Sequence, residues 1–204
     1  MGRMGGELVL ATNNAHKVRE FARLFPGVRL LTPADLGIAF EFEETGSSYL
    51  DNALGKARHL FALVGRPVLA DDSGLEVPAL GGEPGICSSR YGSRPEGPKL
   101  TDAERCDLLL AKAEAMAVAD RSCFFVCCIA LVLEEPRFLT AQEVLRGQLA
   151  RAPRGSGGFG YDPIVFIPER GRTVAELTDR EKDRLSHRGR AARRVRALWG
   201  KSLD

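Results

Sequence analysis

The segment Ser122–Glu134 constrains the fold more than any other, because Cys123 to Leu133 is apolar at odd and even positions alike. A strand with one wet face needs a polar residue at every second position, so this run belongs in the middle of a sheet covered on both sides. Its 11 residues are too few to cross a bilayer as a helix, which takes about 20. A central strand buried on both faces requires helices to cover it, and the remaining sequence supplies them.

Glu7 to Ala11 reads as a short buried strand, and Val18, Phe21, Ala22 and Phe25 then recur at helical spacing up to the stop at Pro26-Gly27. Val28 to Leu31 forms a second strand. Ser48 with Asp51 three residues on resembles a capping box, and Leu50, Ala53, Leu54, Ala57, Phe61 and Val64 form the apolar face of the helix it opens. The opposite face carries Asn52, Lys56 and His59. Pro67 to Asp71 is the next strand, expected to stop in a turn at Asp71-Asp72-Ser73-Gly74. Thr101 and Glu104 cap a third helix, Phe138 to Leu145 and Gly147 to Ala150 read as two strands, and Pro163 to Ile167 as another. A basic helix with Ala191, Ala192, Val195, Leu198 and Trp199 on its buried side closes the chain. With no repeat and no long linker, residues 1–204 read as one mixed α/β domain, residues 1–6 being a flexible extension.

Charge excludes several functions. With 29 basic and 27 acidic residues the net charge is +2, so no global field points to nucleic acid or a membrane surface. Three of the five cysteines fall in the apolar run, which favours buried reduced thiols, and the three histidines lie far from every cysteine, against a zinc site. The N-terminus lacks an apolar signal core, so a cytoplasmic protein is expected.

Five segments carry the chemistry. Asp71-Asp72-Ser73-Gly74 delivers hard oxygen ligands to the rim of a sheet, where a hydrated Mg²⁺ and a phosphate can meet them, although Asp and Ser-Gly are also ordinary turn formers. Thr12-Asn13-Asn14-Ala15-His16-Lys17 joins a strand to a helix N-terminus and offers a hydroxyl, amides and a lysine to phosphate. Glu43-Glu44-Thr45-Gly46 and Lys56 flank the start of the second helix, as an acid and a base suited to a metal-bound triphosphate or as solvated charges. Gly158-Phe159-Gly160-Tyr161-Asp162-Pro163 combines close backbone approach with an aromatic face, Phe159 or Tyr161, for a base to stack on. Lys182 and Ser186-His187-Arg188 open the basic helix, where His187 and Arg188 can donate to a ligand carbonyl or simply belong to the helix.

In this order, from about Leu8 to the final helix, these segments resemble the inosine triphosphate pyrophosphatase family, enzymes that cleave non-standard purine nucleoside triphosphates. The resemblance implies an elongated two-lobed α/β fold with a long central sheet and the active site in the cleft between lobes. It assigns Thr12, Asn13, Asn14, Ala15, His16, Lys17 and Lys56 to the phosphates, and Glu44 (or Glu43) and Asp72 to Mg²⁺, with Asp72 also the general base. Ser73, Phe159, Gly160, Tyr161, Asp162, Lys182, His187 and Arg188 would touch the substrate. It further implies hydrolysis of ITP, dITP and XTP to monophosphate and pyrophosphate, a homodimer, and no stable nucleic-acid complex. Two alternatives stand beside it: a related pyrophosphatase for pyrimidine or modified nucleotides, and a non-catalytic nucleotide- or nucleic-acid-binding module.

Overall fold

A computed structural model describes residues 6–93 and 96–201. Among these, one mixed sheet contains β1 (Gly6–Leu10), β2 (Val28–Leu31), β3 (Val68–Glu76), β4 (Ser122–Glu134), β5 (Arg137–Leu149), β6 (Val165–Ile167) and β7 (Arg172–Thr173). Their spatial order is β2-β1-β3-β4-β5-β6-β7. β1 runs parallel to β2 and β3, whereas β6 is antiparallel to β5 and β7. The helices are α1 (Ala15–Leu24), α2 (Tyr49–Val64), α3 (Asp102–Ala115), α4 (Asp179–Leu185) and α5 (His187–Lys201). The expected mixed α/β class, with helices flanking a sheet, is what the chain forms. Residues 1–5 of the expected extension lie outside the described residues, and Gly6 already belongs to β1, paired with Val28.

Two compact units divide the chain. The first holds the described residues up to Asp72, Cys127–Glu143 and those from His187 onward; the second holds Ser73–Val126 and Val144–Ser186. β3, β4 and β5 each contribute one stretch to either unit. In the first, Leu8, Leu10, Phe21, Phe25, Leu69, Ile129, Leu131 and Val195 form an apolar core. In the second, the core is built on Leu75, Leu109, Phe125, Leu149, Ile164 and Val174.

Local signals set most boundaries. The Ser48 hydroxyl accepts from the Asp51 amide to start α2, and Gly65 ends it at φ 61°, a left-handed conformation that suits glycine. Thr101 and Glu104 make the reciprocal bonds of a capping box on α3, and Thr178 with Glu181 does the same for α4. The expected single basic helix is two, because Ser186 is extended (φ −65°, ψ 157°) between α4 and α5.

Three further sequence expectations are corrected. β3 does not stop at Asp71; it runs unbroken to Glu76, so the two acids are strand residues and not a turn. β5 is one strand where two were expected. Gly147, expected to open the second of them, lies inside β5, and glycine is required there because a Cβ would come within 2.8 Å of the Phe166 carbonyl on β6. On α2 the buried face is Tyr49, Asn52, Ala53, Lys56, Ala57 and Leu60, while Leu50 is 40 % exposed. Asn52 and Lys56 turn inward because polar groups on β3 receive them.

Candidate active site

The pleat of β3 separates its two acids. Successive side chains of a strand point to opposite faces, so Asp71 and Asp72 meet different helices. Asp71 faces α1 and α5: its Oδ1 lies 3.0 Å from Lys17 Nζ, and its Oδ2 accepts from Arg188 Nη2 at 3.0 Å and Nε at 3.2 Å. The Cys127 thiol lies 3.9 Å from the same Oδ2. Burial would raise the Asp71 pKa, but Lys17 and Arg188 outweigh it and hold this carboxyl well below the usual carboxylate range. Asp71 is therefore a fixed anion.

Asp72 faces α2, where its Oδ2 accepts from Asn52 Nδ2 at 2.9 Å. Its pKa is pushed up to about 6, first by burial and then by the charge of Glu44, against the opposing pull of the Asn52 hydrogen bond and of Lys56. A carboxyl poised there can exchange a proton near neutral pH, as a general base must. Lys56, buried on α2, pairs with Glu44 and donates to the Asp71 carbonyl oxygen at 3.2 Å. Of the two candidate glutamates, Glu44 is half-buried and joins this set, while Glu43 is exposed.

The strand-to-helix loop is organised largely by its own side chains. Asn14 caps α1, its Oδ1 accepting from the amides of His16 at 2.8 Å and Lys17 at 3.3 Å, and the Thr12 hydroxyl accepts from the Asn14 amide. Asn13 Nδ2 donates to the Phe40 carbonyl, and the His16 ring meets Arg19. Asn13, Asn14, Ala15 and His16 are exposed, while Thr12 and Lys17 are half-buried. His187 and Arg188 begin α5 and are buried; Arg188 also donates from Nη1 to Glu20 Oε2 at 2.7 Å.

A hydrated divalent cation fits this donor set. Burial first and the charge of Glu44 second raise the pKa of Asp72, and a hard cation relieves the repulsion between the two carboxylates. Among the described residues no three or more His, Cys, Asp or Glu side chains gather into a cage.

The second unit contains its own polar cluster. Asp162 Oδ2 accepts from Lys182 Nζ at 2.5 Å and from the Phe159 amide at 2.9 Å. Lys182 Nζ also lies 4.9 Å from the Phe159 ring centroid. Gly158 (φ 71°) permits this closure, because a Cβ there would overlap the Asp162 carboxylate. The Gly160 amide donates to Asp102 Oδ2 at the start of α3. Phe159 is half-buried, whereas Tyr161 lies in the apolar core with its hydroxyl on the Ser88 carbonyl at 2.9 Å. Of the two aromatics, then, only Phe159 keeps part of its surface exposed. Ser73 opens this unit on β3 and is half-buried.

Sequence reasoning passed over Asn52, Glu20 and Asp102. Asn52 had a signal, standing four residues before Lys56 on one helical face. Glu20 likewise follows Lys17 by three residues. Asp102 had none beyond its place in a helix cap.

Comparison with known proteins gives a consistent result. Residues 8–198 match the model of the Ham1 family. A dITP/XTP pyrophosphatase of Treponema denticola is 48% identical over 91% of this chain and 94% of its own. One of Methylococcus capsulatus is 45% identical over 97% and 100%. The solved structure of a HAM1 protein from Coxiella burnetii superposes with a TM-score of 0.86 at 42% identity, covering 96% of this chain and 98% of that one.

Proposed function

The chain belongs to the Ham1 family, and from that premise we propose that it hydrolyses ITP, dITP and XTP to the monophosphate and pyrophosphate in a Mg²⁺-dependent reaction. The observation that carries this reading is the placement of Asp72, a buried carboxyl raised by burial and by the charge of Glu44 and hydrogen-bonded to Asn52, with Lys56 paired to that glutamate.

The chain's own residues then divide the work. Asp72 accepts the proton of a water that attacks the α-phosphorus. Asn52 fixes the orientation of its carboxylate. Lys17 and Lys56 bring positive charge to a triphosphate of about four negative charges and to the pyrophosphate that leaves. Mg²⁺ held by Glu44 and Asp72 would supply further neutralisation of the phosphate oxygens.

Phe159 offers a ring face to the purine, with Lys182 and Asp162 fixing its loop. Hypoxanthine and xanthine carry a carbonyl at the six-position, to which His187 and Arg188 are assigned as donors. Adenine presents an amino group there, which would leave such donors unmatched at a cost of about 1–3 kcal/mol. Arg188 already donates from Nε, Nη1 and Nη2 to carboxylates, so its share in base recognition is secondary to that of His187.

Pyrophosphate release from ITP, XTP, GTP and ATP, each with and without Mg²⁺, tests the reading. Fast Mg²⁺-dependent release from ITP and XTP is expected. Equal turnover of ATP and ITP would refute the six-carbonyl selection, and no turnover of any would refute the pyrophosphatase assignment. Homodimerisation and a cytoplasmic setting belong to the same proposal; sedimentation of the purified protein and fractionation of cells check them. No described helix is long and apolar enough to cross a membrane.

A further inference from the structure

Glu20 is a buried acid on α1 that the proposed chemistry does not use. It lies one turn beyond Lys17 on the same helix, and the two residues grip opposite ends of a chain of charges. Glu20 Oε2 accepts from Arg188 Nη1 at 2.7 Å, Arg188 Nε and Nη2 donate to Asp71 Oδ2, and Asp71 Oδ1 meets Lys17 Nζ at 3.0 Å. Glu20, Arg188 and Asp71 are all buried, and the set of two acids and two bases is neutral.

The way Arg188 holds Asp71 is informative. A guanidinium beside a carboxylate favours the two-pronged arrangement in which parallel N–H groups engage both oxygens. Here Nε and Nη2 both donate to Oδ2, and Oδ1 meets Lys17. Nη1, which could have joined a two-pronged grip, is drawn to Glu20 instead.

We propose that Glu20 is a positioning residue for Lys17: by holding Arg188 Nη1 it keeps the guanidinium on one oxygen of Asp71 and reserves the other for the lysine. Without Glu20 the guanidinium is free to turn onto both oxygens and compete with Lys17 for Oδ1, which loosens the hold on the lysine. The position of Lys17 follows from contacts alone; its consequence for phosphate binding rests on the function proposed above.

Two readouts separate these levels. Competitive acetylation of the lysines by acetic anhydride, resolved by mass spectrometry, reports Lys17 without any substrate. In Glu20→Ala, Lys17 labelling should rise about three-fold or more, since an amine loses protection when its ion pair is broken. Lys112, paired with Glu83 in the second unit, should label as before and certifies the fold. Glu20→Gln keeps an acceptor for Nη1 without the charge and should show a smaller rise; it also serves if the alanine variant does not fold. Unchanged Lys17 labelling in both variants overturns the proposal.

Inorganic pyrophosphate with Mg²⁺, titrated calorimetrically, reports the consequence. Glu20→Ala should weaken its binding about ten-fold, the worth of one charge-assisted contact. The same substitution made in a Lys17→Met background should change it little, whereas a merely structural role would weaken both backgrounds equally and would overturn the proposal. Raised Lys17 labelling with no pyrophosphate binding by the wild type upholds the positioning and counts against the function.

Discussion

Replacing Asp72 with asparagine should make the metal-free protein more stable while removing its chemistry. In the fold this carboxyl has a pKa of about 6 against its ordinary 3.8, from burial and from Glu44. The folded state therefore binds the proton more tightly than the unfolded chain does. Below pH 3.8 both states hold it; as the pH rises through the window to about 6, the unfolded chain releases it first and stability falls. At 1.36 kcal/mol per pH unit the loss approaches about 3 kcal/mol above pH 6. The substituted asparagine cannot ionise and can still accept from Asn52 through its carboxamide oxygen. Melting in EDTA should thus show the Asp72→Asn variant more stable than wild type at pH 8, by about 6–12 °C for a chain of this size, and no different at pH 3.5. Its kcat should fall about 10²–10⁴-fold, the usual share of a general base. Added Mg²⁺ should raise the wild-type Tm and leave the variant's unchanged, which reverses the comparison. A variant melting at or below the wild-type temperature at pH 8 in EDTA would show that Asp72 is not held ionised against its surroundings.

Other consequences of the structure are as direct. Arg188→Met leaves Asp71 and Glu20 buried without their shared cation and should cost about 3–5 kcal/mol in urea unfolding. Because Asp71 is held below the ordinary carboxylate range, its contribution is full above pH 3.8 and is lost as the pH falls below that; the acid limb of a Tm–pH curve should flatten in Asp71→Asn. Cys87 is exposed, while burial pushes Cys106 and Cys123 up to about 12 and Cys128 to about 11. Iodoacetamide at pH 7.5 should modify Cys87 alone in the native protein, as seen in the mass of the intact chain, and equal labelling of all five would contradict the burial. Gly158→Ala drives a methyl group into the buried Asp162 carboxylate at a positive φ; nucleotide KM should rise and the Tm should fall together, and an unchanged KM would separate this loop from binding.

Local patterns carried the fold well where one element decides its own limits. β2 and β4 occupy the expected spans, and the caps at Ser48 and Thr101 start their helices as expected. The failures come where a distant partner overrides local preference. Gly147 has the look of a boundary and is instead a point of close approach to β6, which only the folded sheet supplies. The α2 stripe misled for a related reason: apolar periodicity placed Leu50 inside and Lys56 outside. The reverse holds because the Lys56 ammonium finds Glu44 and a β3 carbonyl, a match that hydrophobic spacing cannot register.

The same limit governs the site. Asp71-Asp72 stands out in the sequence as a candidate, yet two adjacent acids in a turn would share one environment, and in a strand they cannot. Once β3 is seen to continue to Glu76, each acid belongs to a different helix and acquires an opposite electrostatic character. On one face two cations fix Asp71 as an anion that anchors Lys17; on the other, burial and Glu44 raise Asp72 toward neutrality. The base proposed for the reaction and a carboxylate held as an anion are thus kept one residue apart by the strand itself. Neither Asp71→Asn nor Asp72→Asn should be rescued by the other acid, because the pleat denies each carboxylate access to the other's face.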